Sequence, residues 1–249
     1  MKLSRNKLKH NDDNIWSSVS DLMSGLMIVF LFISISYMSR VTRETIQIKE
    51  QQQAVKKVIT THENIKLSIY KDLQEEFKND IKNWGIEIDE DGTVRFLEPE
   101  VFFRVGSAEL KPRFENILND FFPRYINIVH GKYKDNIEEV RIEGYTSSEW
   151  GENVTLLESY FCNMELSQDR TRNVLSYIMN LESIKPYHEW LIEHITANGM
   201  SYSHREYDEN DNEDEKASRR VEFKIRTNAE QVMSDIITKY SNDKKRDTN

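Results

Sequence analysis

Residues 22–39, LMSGLMIVFLFISISYMS, carry no charged side chain, and Arg40 ends the run. Together with Trp16 to Asp21 the segment makes about 35 Å of helix, enough to cross a hydrocarbon core of roughly 30 Å with some tilt. In a chain that is 31% charged overall, a run of this kind dictates a membrane anchor followed by a soluble part. A secretory signal has a shorter apolar core and a small-x-small cleavage site. Ser36 and Met38 make a poor one, so the expectation is an uncleaved span over residues 15–39. Lys2, Arg5, Lys7 and Lys9 precede the span, whereas Arg40, Arg43 and Lys49 follow it. Counting cations alone, the balance tips the N-terminus toward the cytoplasm and the C-terminal part toward the periplasm.

Asp21 is the residue that does not fit a plain anchor. A carboxylate at the centre of a membrane helix costs roughly 2.5–3.5 kcal/mol on insertion scales, and Asp21 stands about one and a half turns inside the span. Such a residue is a functional candidate by default, because removal from water penalises its charged form and lets it take up and release a proton. Its oxygens also suit Na⁺. Ser17, Asp21, Ser24, Gly25 and Ile28 fall on one helical face. Four of the five are small or polar, which lets neighbouring helices approach and hydrogen-bond across the contact. One helix cannot enclose a conducting path alone, so an ion-carrying Asp21 requires partner membrane helices. The competing reading is a carboxylate that marks the helix N-terminus, where negative charge is favoured.

After a polar tail at 1–14 and the span, residues 40–83 contain neither Gly nor Pro. Val41, Ile48, Val55, Ile59, Ile69 and Leu73 fit a heptad frame that Thr45, Gln52, His62 and Lys66 interrupt. The segment reads as a helical stalk, either the seam of a parallel dimer or a solvated linker helix. From Trp84 the pattern changes. GIEIDEDGTVRFL is a hairpin by its turn residues, and residues 111–129 are a helix with Pro112 in its first turn. EEVRIEGYTS, HITANGMS and RRVEFKI read as strands. NMELSQDRTRNVLSYIMN is a helix with Leu166, Val174, Ile178 and Leu181 on one face and Ser167 as the cap of its start. Residues 229–249 form a tail with one more helix. The order of elements predicts an α+β sandwich over residues 84–228, a small mixed sheet with helices on one face.

Several function classes drop out. The formal charge of −9 and the lack of a basic stripe with aromatics argue against nucleic acid. The one cysteine, Cys162, cannot form an intramolecular disulfide. The histidines show no metal-ligand spacing, no Gly-rich phosphate loop occurs, and nothing groups a nucleophile with a base, so no enzyme and no cofactor is expected. Seven of the ten residues from Glu206 to Glu215 are acidic. Asp208, Asn210 and Asn212 start like a calcium loop, but Glu213 stands where its Gly should be and Arg219 where its last Glu should be, which leaves a solvated loop.

The whole pattern resembles the MotB-type B subunits of ion-driven stator units, with WSSVSDLMSGLMIVFLF matching that family's Trp-x-x-x-x-Asp-Leu-Met segment. The flagellar form reads Tyr-Ala-Asp-Phe followed by Thr-Ala-Met-Met. Ser20-Asp21-Leu22 and Ser24-Gly25-Leu26-Met27 stand there instead, a variant closer to the B subunits of Zorya anti-phage defence systems. Residues 101–110, 141–147, 163–174, 197–201 and 218–225 are similar to OmpA-like peptidoglycan-binding domains. The resemblance implies that Asp21 carries the translocated H⁺ or Na⁺. It implies a homodimer inside a pentameric ring of MotA- or ZorA-type A subunits in the bacterial inner membrane, acting on cytosolic defence effectors through the A subunit. It also implies a periplasmic domain that grips the diaminopimelate of peptidoglycan through Arg170, with Asn163, Thr146, Ser147 and the pair Arg219 and Arg220 in the remaining motif positions. Where the family has an Asp, this chain has Ser147, and Glu149 is the nearby carboxylate able to substitute. A flagellar stator, or a passive link from membrane to wall, remain the alternatives.

Overall fold

The computed structural model describes residues 3–97, 99–104, 106–151 and 153–246. They fall into two compact units, residues 1–56 with 236–249, and residues 57–235. Lys2, one of the cations weighed for orientation, and residues 247–249 of the tail lie outside the described residues.

The first unit holds most of helix α1 (Leu3–Phe77). Only Gly25 and no proline interrupts this helix, so nothing in the sequence stops it between the polar tail and the stalk. Leu22, Met27, Phe30 and Phe32 are all exposed, as are the other large apolar side chains from Trp16 to Met38. A helix apolar on every side has no soluble core to face and suits lipid or partner helices. Among the described residues α1 is the one helix long and apolar enough to cross a membrane. Arg40 closes the span and pairs with Glu44 at 3.3 Å.

The second unit begins at Lys57, well before residue 84. The reason is packing: Ile69, Leu73 and Phe77 are fully buried, and Ile65 lies against them. These four side chains repeat every four residues, a stripe that faces the domain's own core. Arg124 fastens the end of α1, with Nε 2.7 Å from Glu76 and its terminal nitrogens 3.0 Å from Asp80 and 3.2 Å from Asp120. Its guanidinium also lies 4.7 Å over the Phe77 ring.

Helix α2 (Ile81–Trp84) stops at Gly85, whose φ of +66° closes the turn. β1 (Ile86–Ile88) and β2 (Val94–Leu97) form the expected antiparallel hairpin, and Gly92 takes φ +84° in its turn. Then come α3 (Pro99–Phe102), α4 (Pro112–Tyr133), β3 (Ile137–Gly144), α5 (Leu156–Met179), α6 (His188–His194), β4 (Ile195–Gly199), α7 (Glu215–Ser218), β5 (Arg220–Thr227) and α8 (Ala229–Arg246). The sheet order is β1-β2-β5-β3-β4, with β3 and β4 parallel and every other pair antiparallel. This is the mixed sheet of an α+β domain.

Strand alternation sorts the two faces. Val94, Phe96, Val140, Ile142, Val221, Phe223 and Ile225 enter the core with Phe114, Phe121 and Phe122 of α4. The Phe96 ring sits 5.0 Å from that of Phe121, which in turn lies 5.1 Å from Phe223. The opposite face is a ladder of charge. Arg220 meets Glu222 at 2.7 Å, Lys224 reaches Glu143 at 2.9 Å and Glu222 at 3.2 Å, and Arg95 lies 2.8 Å from Asp89. Burial works against the Lys224 charge, but Glu143 and Glu222 outweigh it and hold the ammonium pKa above its ordinary value.

Helix α5 starts earlier than its sequence suggested, and Ser167 is not its cap. Thr155 is the N-cap, accepting from the Glu158 N–H, while the Glu158 carboxylate accepts from the Thr155 N–H. Ser167 stands mid-helix, where its hydroxyl donates to the Met164 carbonyl and accepts from the Ser201 N–H. The acidic stretch is also better ordered than a solvated loop. Asp208 accepts from the N–H groups of Asn210 and Asn212, and Tyr207 bridges to Glu213.

Among the described residues, one of the buried polar atoms without a hydrogen-bond partner belongs to the aromatic core. The Tyr125 hydroxyl is fully buried and has no hydrogen-bond partner among the described residues, and burial pushes its phenol pKa above the ordinary range. Removing an unsatisfied buried hydroxyl removes its desolvation penalty. Tyr125→Phe is therefore expected to leave stability unchanged or raise it by about 1 kcal/mol, a rise of roughly 2–4 °C in a domain of this size. Thermal unfolding of the full chain followed by circular dichroism checks this. A drop in midpoint would mean that the hydroxyl has a bonded partner.

Candidate functional site

The buried face of α5 changes character along its length. Toward its C-terminus it is apolar, with Val174 and Ile178. Toward its N-terminus it buries Ser159, Asn163, Ser167, Arg170 and Thr171. Polar side chains held at core positions indicate a site rather than packing. A cavity of about 330 Å³ opens beside this polar half, and Thr146, Ser147, Asn163 and Arg170 all line it. The segment after β3 supplies Thr146 and Ser147, and α5 supplies Asn163 and Arg170.

Arg170 is the centre of the cavity. It is 7% exposed, its Nε donates to the Ser107 carbonyl at 3.0 Å, and its guanidinium lies 5.0 Å over the Phe103 ring. Its two terminal nitrogens make no hydrogen bond and no ion pair among the described residues. Burial, and then the neighbouring Arg219 charge, push its pKa down to about 10. It stays cationic at neutral pH, with no counter-charge among the described residues. Around it are neutral groups. Thr146 Oγ1 is buried with no partner, the Ser147 hydroxyl makes no hydrogen bond among the described residues, and Asn163 donates to Ser159 Oγ at 3.4 Å. Such a wall is built to receive an anion through the guanidinium and to complete its shell with hydroxyls and an amide.

The two adjacent arginines separate. Arg219 lines the cavity, 3.7 Å from Glu149 and 3.8 Å from Glu215. A hydrogen bond shared with Glu149 raises the Glu215 carboxyl pKa. Arg220 points into the charge ladder, its guanidinium 4.0 Å over the Tyr145 ring and donating to the carbonyls of Ser218 and His204. It does not line the cavity. Neighbouring strand residues face opposite sides, and the sequence alone does not say which arginine takes which side. The acidic loop supports the cavity rim: Glu213 accepts from the Ser148 N–H at 2.8 Å and from the Ser148 hydroxyl. Phe103, Trp150 and Leu166 supply apolar lining.

In the first unit, Ser17, Asp21, Ser24 and Gly25 share one side of α1 by helical spacing. The Ser24 hydroxyl donates to the Ser20 carbonyl at 2.8 Å, satisfying itself within the helix. A Cβ added at Gly25 would meet nothing within 4 Å, so the flat spot it makes on the helix is open.

A helix long and apolar enough to cross a membrane, followed by a mixed sheet with helices packed on it, defines a MotB-like chain with an OmpA-like domain. The OmpA family model matches residues 102–220. The chain is 45% identical over 230 residues to the Zorya protein ZorB of Escherichia coli, covering 92% of this chain and 94% of that one, and it belongs to the ZorB family. Similar solved structures include a MotB-like protein from Desulfovibrio vulgaris, at 22% identity and TM-score 0.43 over 70% of this chain and 94% of that one. Another is the cell wall anchor of the T6SS from Pseudomonas aeruginosa, at 19% identity and TM-score 0.43 over 62% and 96%. The periplasmic domain of Helicobacter pylori MotB aligns at 15% identity and TM-score 0.42 over 61% and 85%.

Proposed function

We propose that this chain is the wall-tethered B subunit of an ion-driven motor that acts in anti-phage defence, with Asp21 as the group that carries the ion. The observation that carries the reading is the combination, in one chain, of a carboxylate inside an otherwise uncharged span and a domain whose cavity presents a buried guanidinium with no counter-charge among the described residues. The relative named above is a Zorya protein, which favours a defence system over flagellar rotation.

In this reading two copies stand inside a pentameric ring of A subunits, N-termini in the cytoplasm and OmpA-like domains in the periplasm. The ring covers the Ser17–Asp21–Ser24–Gly25 face, which one helix leaves open. A proton, or Na⁺, neutralises Asp21 and then leaves, and each elementary charge that crosses 100 mV releases about 2.3 kcal/mol. The cavity holds a carboxylate of the peptidoglycan stem against Arg170, so the pair of B chains stays fixed while the ring turns. Torque then reaches cytosolic effectors through the A subunits.

The test is phage plating on cells carrying the native operon with and without this chain. Protection that disappears on its deletion, with swimming unchanged, supports the reading. Protection that persists, or loss of swimming in its place, overturns the defence assignment.

A further inference from the structure

The proposed wall contact leaves open which form of the stem the cavity accepts, and its charges narrow the choice. Four charged residues line it among the described residues: Arg104, Arg170, Arg219 and Glu149. Arg104 is 69% exposed and pairs with Glu109 at 3.1 Å. Glu149, the one carboxylate, is 65% exposed, lies 3.7 Å from Arg219 and shares a hydrogen bond with Glu215. That leaves Arg170 as the charge still to be matched. The buried positions nearest the sequence motif, Thr146, Ser147 and Asn163, are all neutral.

This distribution is one-sided. A carboxylate entering the cavity meets the Arg170 fork and two hydroxyls. Among the described residues, a free ammonium entering beside it meets three guanidiniums, two of them already paired, and no unengaged carboxylate, so it loses hydration without gaining a counter-charge. An acylated nitrogen carries no charge and hydrogen-bonds with the Ser147 and Thr146 hydroxyls and the Asn163 amide at no such penalty. Resting on the wall-binding reading, we infer that the cavity selects a carboxylate whose neighbouring amine is already acylated. In peptidoglycan that is a stem whose side-chain amine is engaged in an amide, as in a cross-link, and not a free zwitterion.

Isothermal titration of the full chain in detergent with two synthetic probes tests this. Both are L-alanyl-γ-D-glutamyl-meso-diaminopimelate, one with the side-chain amine free and one with it acetylated. The acetylated peptide is expected to bind more tightly than the free amine. Ser147→Asp places a carboxylate on the buried wall and is expected to swing the preference toward the free amine by about tenfold or more. Equal binding of the two peptides, or a wild-type preference for the free amine, overturns the inference while the wall-binding reading stands. If neither peptide binds, the wall-binding reading fails and the inference fails with it.

Discussion

Asp21→Asn is expected to abolish phage protection while the protein stays in the membrane at its normal level and still co-purifies with its A subunits. Asparagine has nearly the same shape and hydrogen-bonding reach as the carboxylic acid, but it cannot cycle between charged and neutral forms. Insertion itself should not suffer, because a charge inside the span costs up to roughly 2.5–3.5 kcal/mol and the substitution removes it. The motor reading therefore predicts a separation: assembly retained, output lost. Plating efficiency should match that of cells without the system, a change of orders of magnitude where protection is strong. A blot of the membrane fraction and a pull-down of the partner complete the measurement. A passive tether makes the opposite prediction, since a link between membrane and wall has no use for a titrating group. Protection that survives Asp21→Asn would sink ion carriage through this residue and leave the tether. Asp21→Glu refines the result, because it keeps the chemistry and moves the carboxylate outward by one methylene. Partial protection there would indicate that position as well as charge matters.

Much of the architecture was legible before any coordinates, for reasons that differ by element. The β1–β2 hairpin announced itself through Asp89–Gly92, and α4 through Pro112 at its first turn. Strands β3 and β5 showed period-two alternation, and the structure pairs them antiparallel. The start of α5 was missed although its signal is explicit: Thr155 followed three residues later by Glu158 is a capping box. In sequence the C-terminal end of α1 looks like stalk, because Ile69 and Leu73 fit a heptad, and a heptad seam and an amphipathic core stripe look alike over so short a stretch. Only packing against a residue far away in sequence distinguishes the two: the Phe121 ring lies 5.2 Å from that of Phe77. At the cavity, Thr146, Ser147, Asn163 and Arg170 come together as their motif positions implied. The choice of Arg219 over Arg220 depended on the register of β5, and Phe103 and Trp150 carried no local signal of a role. The neutral wall at Thr146, Ser147 and Asn163 shows only in the structure, and a change of charge there alters what the cavity can hold without altering the fold.

Gly199→Ala is expected to be the most damaging small substitution in the domain. A Cβ built at Gly199 would lie 2.4 Å from the Gln168 backbone nitrogen and 2.7 Å from its Cα, too close for any real contact. The obstacle is main chain, so a rotamer change cannot relieve it, and either β4 or α5 must move. A Cβ added at Gly144 on the neighbouring strand would meet the same helix, 2.9 Å from the Ser167 carbonyl oxygen. Both glycines therefore set the distance at which the parallel pair β3–β4 lies beneath α5. Two further bonds depend on that distance: the Gln168 side chain accepts from the Gly199 N–H at 2.7 Å and donates to the Ala197 carbonyl at 3.0 Å. Overpacking of this kind costs typically 1–3 kcal/mol, and a rigid backbone obstacle belongs at the top of that range, so the unfolding midpoint should fall by roughly 6–12 °C. Gly131→Ala is the control. It lies in α4, a Cβ there meets nothing within 4 Å, and alanine favours the helix by up to about 1 kcal/mol, so stability should hold or rise. The two variants add the same methyl group and should shift the midpoint in opposite directions. The same displacement reaches the site, because α5 carries Asn163 and Arg170 while the chain leaving β3 carries Thr146 and Ser147. Gly199→Ala should therefore weaken binding to purified cell-wall sacculi even at temperatures where the domain remains folded, whereas Gly131→Ala should not. Equal binding by both variants would mean that the cavity adapts to a shifted helix, and that the close strand–helix approach serves stability alone.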